Sequence, residues 1–187
     1  MLSPVVLILA AGKGERFLAS GATTHKLDAQ LGDRTVLAHV IQAVETAGLA
    51  WQLIRPEDGT RGMGESVSLG VKATPDASGW LIMPADLPLI QPASLQRVTA
   101  GLKEKPLVVP HYCQRQGHPV GFSRAFKPLL MALSGDVGAR DIVKGARRDG
   151  KVLDLPLDDE GIVQDIDTLA DLENAERRLR MREHLPS

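Results

Sequence analysis

The stretch VVLILAAGKGERF, Val5 to Phe17, runs from six apolar residues straight into Gly12, Lys13, Gly14 and Arg16. Two glycines at this spacing let the backbone turn sharply and bring N–H groups close to an anion. A helix opening nearby adds its positive end. Lys13, Arg16 and the later Lys26 supply cationic charge. Further along, PADLPLI offers Asp86, and DIDT offers Asp165 and Asp167. Carboxylates opposite a phosphate site require a cation between them. Mg²⁺ suits the role, being hard, oxygen-loving and commonly shared between one or two carboxylates and phosphates. The chemistry implied is that of a metal-assisted nucleotide site. The glycine loop is not a Walker motif, since no Gly-Lys-Ser/Thr follows at the required spacing. Nor is it a dinucleotide fingerprint, since the third glycine is absent.

Each of these residues also has a plainer local reading. Asp86 suits a turn before Pro88. Asp167 suits the N-terminus of a helix, a role compatible with metal binding. Lys26 reads as a solvated loop lysine, and His118 in RQGHPVGF as a satisfied polar residue before a strand. GMGESVSLG, residues 62–70, reads as a glycine loop opening a helix, SGDVGAR, residues 134–140, as a turn and helix start, and the two tryptophans as packing residues.

The elements that must position such a site are legible as alternating strands and helices. Short apolar runs predict strands at Val5–Ala10, Trp80–Met83, Leu107–Pro110, Pro119–Phe122, Val152–Leu155 and Ile162–Ile166. Helical spacing links Val36, Leu37, Val40, Ile41, Val44 and Ala47, stopping at Gly48. It recurs at Leu95, Val98 and Leu102 after Pro92, and again at Leu169, Leu172, Ala175 and Leu179. The last helix opens with Thr168 and Asp171, a capping-box-like pair, and closes with four arginines, in keeping with the helix dipole. The alternation predicts an α/β fold with a mostly parallel sheet and helices on both faces. Ligands of such folds bind beyond the carboxyl ends of strands, so the basic loop and the carboxylates are expected on one edge.

Composition narrows the setting. The chain has 187 residues and a formal net charge of -1, with 43% hydrophobic and 24% charged residues. Such a length accommodates one domain, expected to span residues 1–187. The balanced charge gives no electrostatic support for nucleic-acid or membrane-surface binding. Cys113 is the only cysteine, so no intrachain disulfide is possible. The apolar runs are far shorter than a membrane span, and MLSP lacks signal-peptide character, so a cytoplasmic protein is expected.

In order along the chain, LAAGKGERF, HKL, GMGES, PADLPLI, GHPVGF, SGDVGAR and DIDT resemble the MobA-like nucleotidyltransferases, nearest the molybdenum-cofactor cytidylyltransferases. The resemblance runs from about Val5 to Leu179. It implies a Rossmann-like fold of the nucleotide-diphospho-sugar transferase type, and transfer of NMP from an NTP with release of pyrophosphate. It implies that Leu9, Ala10, Ala11, Gly12, Lys13 and Gly14 wrap the triphosphate, with Pro84 and Ala85 also in the nucleotide site. Arg16 and Lys26 would neutralise phosphate charge, and Asp86 would hold Mg²⁺ with Asp167, supported by Asp165. Gly62, Met63, Gly64 and Ser66 would face base and ribose. Gly117, His118 and Pro119 would lie toward the acceptor, with molybdopterin as the leading candidate. In this family LAAG accompanies CTP and LAGG accompanies GTP, so Ala11 favours CTP. Two other readings go with the resemblance: a non-catalytic maturation factor that partners a molybdenum enzyme, and a transferase acting on a sugar or alditol phosphate.

Two departures from the family pattern carry expectations of their own. Only LAWQLIRPEDGTR lies between Gly48 and Gly62, one strand–helix unit fewer than usual, which predicts a smaller sheet and a more open base pocket. FLASGATTH lengthens the segment before Lys26, and its LASGATT stretch has little apolar content to anchor it, so it is expected to be mobile without ligand.

Overall fold

The computed structural model describes residues 3–10, 14–55 and 62–183. The expectations for Ala11, Gly12 and Lys13, and for the short connection at 56–61, fall outside the described residues. The strands are β1 (Val5–Leu9), β2 (Gln30–Leu31), β3 (Arg34–Thr35), β4 (Ala50–Ile54), β5 (Gly79–Pro84), β6 (Leu107–Tyr112), β7 (Arg115–Gln116), β8 (Val120–Ser123) and β9 (Val152–Pro156). The helices are α1 (Glu15–Ala19), α2 (Val36–Thr46), α3 (Met63–Ala73), α4 (Pro92–Gly101), α5 (Lys127–Met131), α6 (Arg140–Arg148) and α7 (Leu169–Glu183).

Seven strands form one sheet in the order β4-β1-β5-β8-β6-β7, with β9 also paired to β6. β1 runs parallel to β4 and β5, and β6 parallel to β9. β8 is antiparallel to both β5 and β6, which gives β6 the same direction as β5. The sheet is therefore mostly parallel, with β8 and the short β7 reversed.

The period-2 alternation of β1 divides its side chains between two cores. Val6 and Ile8 face Leu81 and Met83 of β5, together with α2, α4 and α7. Leu7 and Leu9 face Trp80 and Ile82 on the other side, together with α3, α5 and α6. Both faces are covered, which is why β1 and β5 read as unbroken apolar runs. Trp80 is fully buried, and its indole N–H donates to Thr74 Oγ1 at 3.0 Å, as fits a packing residue.

The expected strand at Ile162–Ile166 is not formed. A 3-10 turn over Glu160–Ile162 stands there, capped by Asp159, whose side chain accepts from Gly161 N. Gly161 lies so close to the Leu89 carbonyl that a Cβ would sit 2.4 Å from it. The segment also bonds to loops instead of a strand: His118 N donates to Ile162 O at 3.0 Å, and Ile166 N to Asp86 O at 3.0 Å. Asp165 and Asp167 are thus held beside Asp86 by a loop rather than by a strand end.

The segment before Lys26 is better anchored than its composition suggests. Phe17 of α1 is buried, Ala22 packs on the core, and Ser20 Oγ accepts from Leu169 N at 3.1 Å. Between Gly48 and Gly62, β4 is the one regular element among the described residues.

Candidate active site

The site lies at the carboxyl ends of β1 and β5. Ala85 N donates to Leu9 O at 2.9 Å and Ala10 N to Ile54 O at 2.8 Å, so β4, β1 and β5 stay in register to their last residues. Pro84 ends β5 opposite Leu9. Gly14 stands at φ 67°, a left-handed backbone that glycine adopts without steric cost, directly before α1. The His25 ring packs against it, 3.2 Å from where a Cβ would stand, and thereby joins the α1 entry to the turn that carries Lys26.

Lys26 opens the 3-10 turn Lys26–Asp28, capped by His25, whose Nδ1 accepts from Leu27 N at 3.2 Å. Its ammonium lies 2.9 Å from Asp86 Oδ2 and 3.7 Å from Asp167 Oδ1. Arg16 Nη1 meets the other oxygen of Asp167 at 3.1 Å. The four charges form a ladder from inside to outside, Asp86, Lys26, Asp167, Arg16. The Lys26 and Asp86 side chains are 15% and 14% exposed, against 80% for Arg16. An open cavity of about 360 Å³ stands over this ladder, lined by Gly14, Glu15, Arg16, Lys26 and Asp167.

Asp86 is the unusual member. One carboxylate oxygen is taken by Lys26; the other, Oδ1, is buried with no partner among the described residues. Burial pushes its carboxyl above the ordinary value, outweighing the downward pull of Lys26, and the charge of Asp165 adds to the rise. A carboxylate with one oxygen buried and unpartnered costs stability, and such groups concentrate where function needs them. Half-buried His118 lies within the field of Asp86 and Asp165. Burial nevertheless holds its imidazole below the usual value, so it is neutral at neutral pH.

The remaining expected residues are placed as follows. Gly117 is seated against Ile162, where a Cβ would come within 2.7 Å of both its carbonyl and its side chain. Pro119 is buried just before β8. Gly62 and Gly64 press against the backbone of 134–137, and Gly64 N donates to Gly135 O at 2.9 Å. GMGES and SGDVGAR are therefore one packed unit. Ser66 is buried with its hydroxyl on Gly62 O, and Met63 is exposed. Asp165 is exposed next to the ladder. Among the described residues, no three His, Cys, Asp or Glu side chains are grouped to hold a metal by themselves. Sequence reasoning missed Glu15, which lines the cavity, and His25, which caps the turn; the adjacency of His25 to Lys26 was the available signal.

Comparison with known proteins bears on the family and the fold. The family model described as the MobA-like NTP transferase domain matches residues 43–152, more than half of the chain. The purine catabolism protein PucB of Bacillus subtilis is 34% identical over 121 residues, covering 63% of this chain and 58% of PucB. The match thus spans less than two thirds of that relative. The crystal structure of Rv0371c from Mycobacterium tuberculosis superposes with a TM-score of 0.75 at 23% identity, covering 94% of this chain and 98% of that one. The same protein in complex with manganese gives a TM-score of 0.67 at 20% identity, covering 95% and 100%. A Methanothermobacter nucleotidyl transferase gives 0.76 at 19% identity, covering 96% and 99%. The family-model match over more than half of its length shows that this chain belongs to the MobA-like NTP transferase domain family.

Proposed function

We propose that this nucleotidyltransferase transfers CMP from CTP to a small phosphorylated acceptor, molybdopterin foremost, and releases pyrophosphate. The observation that carries the reading is the part-buried Lys26–Asp86 pair with its buried, unpartnered Asp86 Oδ1. A site that only bound a nucleotide would have no need of a carboxylate with one oxygen buried and left without a partner.

The residues fit a divalent ion, and Mg²⁺ is the proposed one. The donors are hard carboxylate oxygens, and Asp86 Oδ1 is a buried oxygen without a partner. Asp86 and Asp167 would hold it, with Asp165 adding negative charge nearby. When bound, such an ion supplies positive charge that polarises phosphoryl oxygens. The chain's own groups do the rest. Lys26 and Arg16 line the cavity and meet the charge that builds on the α-phosphate and on the departing pyrophosphate. An acceptor phosphate oxygen attacks the α-phosphorus in line, and the bond to the pyrophosphate oxygen breaks. That phosphate is already ionised near neutrality, so the transfer needs no strong base. Neutral His118, with Gly117 and Pro119, lies on the acceptor side in this reading. The CTP preference rests on Ala11 in LAAG.

The test is pyrophosphate release with each NTP and Mg²⁺, with and without molybdopterin. The expected result is release from CTP that depends on both the metal and the acceptor. Release with GTP alone would overturn the base assignment. NTP binding without release for any acceptor would favour a maturation factor for a molybdenum enzyme.

A further inference from the structure

The turn that carries Lys26 has a second anchor, opposite the first. The turn Lys26–Asp28 is three residues long, and its middle residue, Leu27, is buried in the core that also holds Val36 and Val40 of α2. Its first residue reaches Asp86, two residues past β5. Its last, Asp28, accepts two parallel hydrogen bonds from Arg55: Nη1 to Oδ1 at 3.0 Å and Nη2 to Oδ2 at 2.8 Å. Arg55 is the residue directly after β4. β4, β1 and β5 are neighbours in that order, so the turn is pinned at the ends of the two strands that flank β1. His25 adds a third contact, against Gly14.

We propose that Asp28 and Arg55 form a positioning clamp that fixes the direction in which the turn presents the Lys26 ammonium. The proposal rests on the reading of Lys26 as the group that meets the phosphates. A lysine stem is long and flexible, and the turn's own backbone bonds are few: Asp28 N to His25 O at 3.0 Å and Ala29 N to Lys26 O at 3.3 Å. Something outside the turn must hold it. A bidentate guanidinium–carboxylate pair fixes direction as well as distance, which a lysine in place of Arg55 would not do. The pair is well exposed, with the Asp28 side chain at 50% and that of Arg55 at 32%, so its contribution to global stability is small. Its effect is on orientation. The Arg55 hydrogen bonds also hold the Asp28 carboxyl below its ordinary value.

The test combines amide hydrogen exchange at residues 27–29 with steady-state pyrophosphate release, on Asp28→Asn, Arg55→Met and the exchanged pair Asp28→Arg with Arg55→Asp. Each single variant should speed exchange at 27–29 several-fold while the melting temperature holds. Each should lower kcat about tenfold with the NTP KM little changed, as expected when a phosphate-stabilising group is displaced. The exchanged pair should recover both. Unchanged exchange in the single variants overturns the clamp, and faster exchange with kcat intact overturns its positioning role. A wild type that releases no pyrophosphate with any NTP overturns the catalytic reading instead, and exchange at 27–29 still decides whether the clamp exists.

Discussion

In the proposed mechanism Asp86 exchanges stability for chemistry. Its carboxyl sits above the ordinary value because desolvation outweighs Lys26. The ionised form is therefore disfavoured by folding, and that penalty is relieved only as pH falls through the raised value. Removing the charge should cost little stability. Asp86→Asn keeps an oxygen for Lys26, and its melting temperature should fall by no more than about 2 °C, or rise. Turnover should drop at least about 100-fold, which is about 2.7 kcal/mol of transition-state stabilisation. Thermal melts beside pyrophosphate assays check both halves. Near-normal turnover would remove Asp86 from the machinery. His118 has the opposite sign. Its imidazole is depressed below 6.5, so the unfolded chain takes up the proton first. Stability is full above pH 6.5 and declines as pH falls below it. His118→Gln should flatten that part of the curve of melting temperature against pH.

At the scale of elements, α7 matters for where it begins. Thr168 Oγ1 accepts from Asp171 N at 3.2 Å, while Asp171 Oδ2 accepts from Thr168 N at 3.0 Å and from Asp167 N at 2.9 Å. This capping box also fixes the backbone of Asp167. Asp171→Ala should cost about 1 kcal/mol, lowering the melting temperature by about 2–4 °C, and should reduce turnover less than Asp167→Ala does. A differential scan and an activity ratio measure the two effects. The box was legible in the sequence because capping is local, as were the stop of α2 just before Gly48 and α4 opening at Pro92. Ile162–Ile166 was not, because its apolar residues serve a turn whose backbone partners, Asp86 and His118, are distant in the chain. The bidentate Arg55–Asp28 pair was hidden for the same reason: neither residue has a local pattern that reveals the other.

At the scale of the molecule, the sheet brings three distant segments to one place. β1 and β5 are adjacent and parallel, so the end of β1 at Leu9 and the start of the loop at Ala85 meet at one edge, as their buried apolar runs implied. The reversal at β8 has no counterpart in those runs. It follows from how β8 pairs with β5 and β6, which periodicity does not encode. The meeting of Lys26 with Asp86 and Asp167 is the product of that edge, and the central claim is that this meeting does chemistry rather than only binding. The most direct measurement compares NTP dissociation constants and pyrophosphate release for wild type and Lys26→Ala with Mg²⁺ and each candidate acceptor. Charge on the α-phosphate and leaving group is greatest in the transition state, so Lys26→Ala should lower turnover by a much larger factor than it weakens NTP binding. Equal losses in affinity and turnover, or a wild type that binds NTP tightly yet releases no pyrophosphate with any acceptor, would contradict the account.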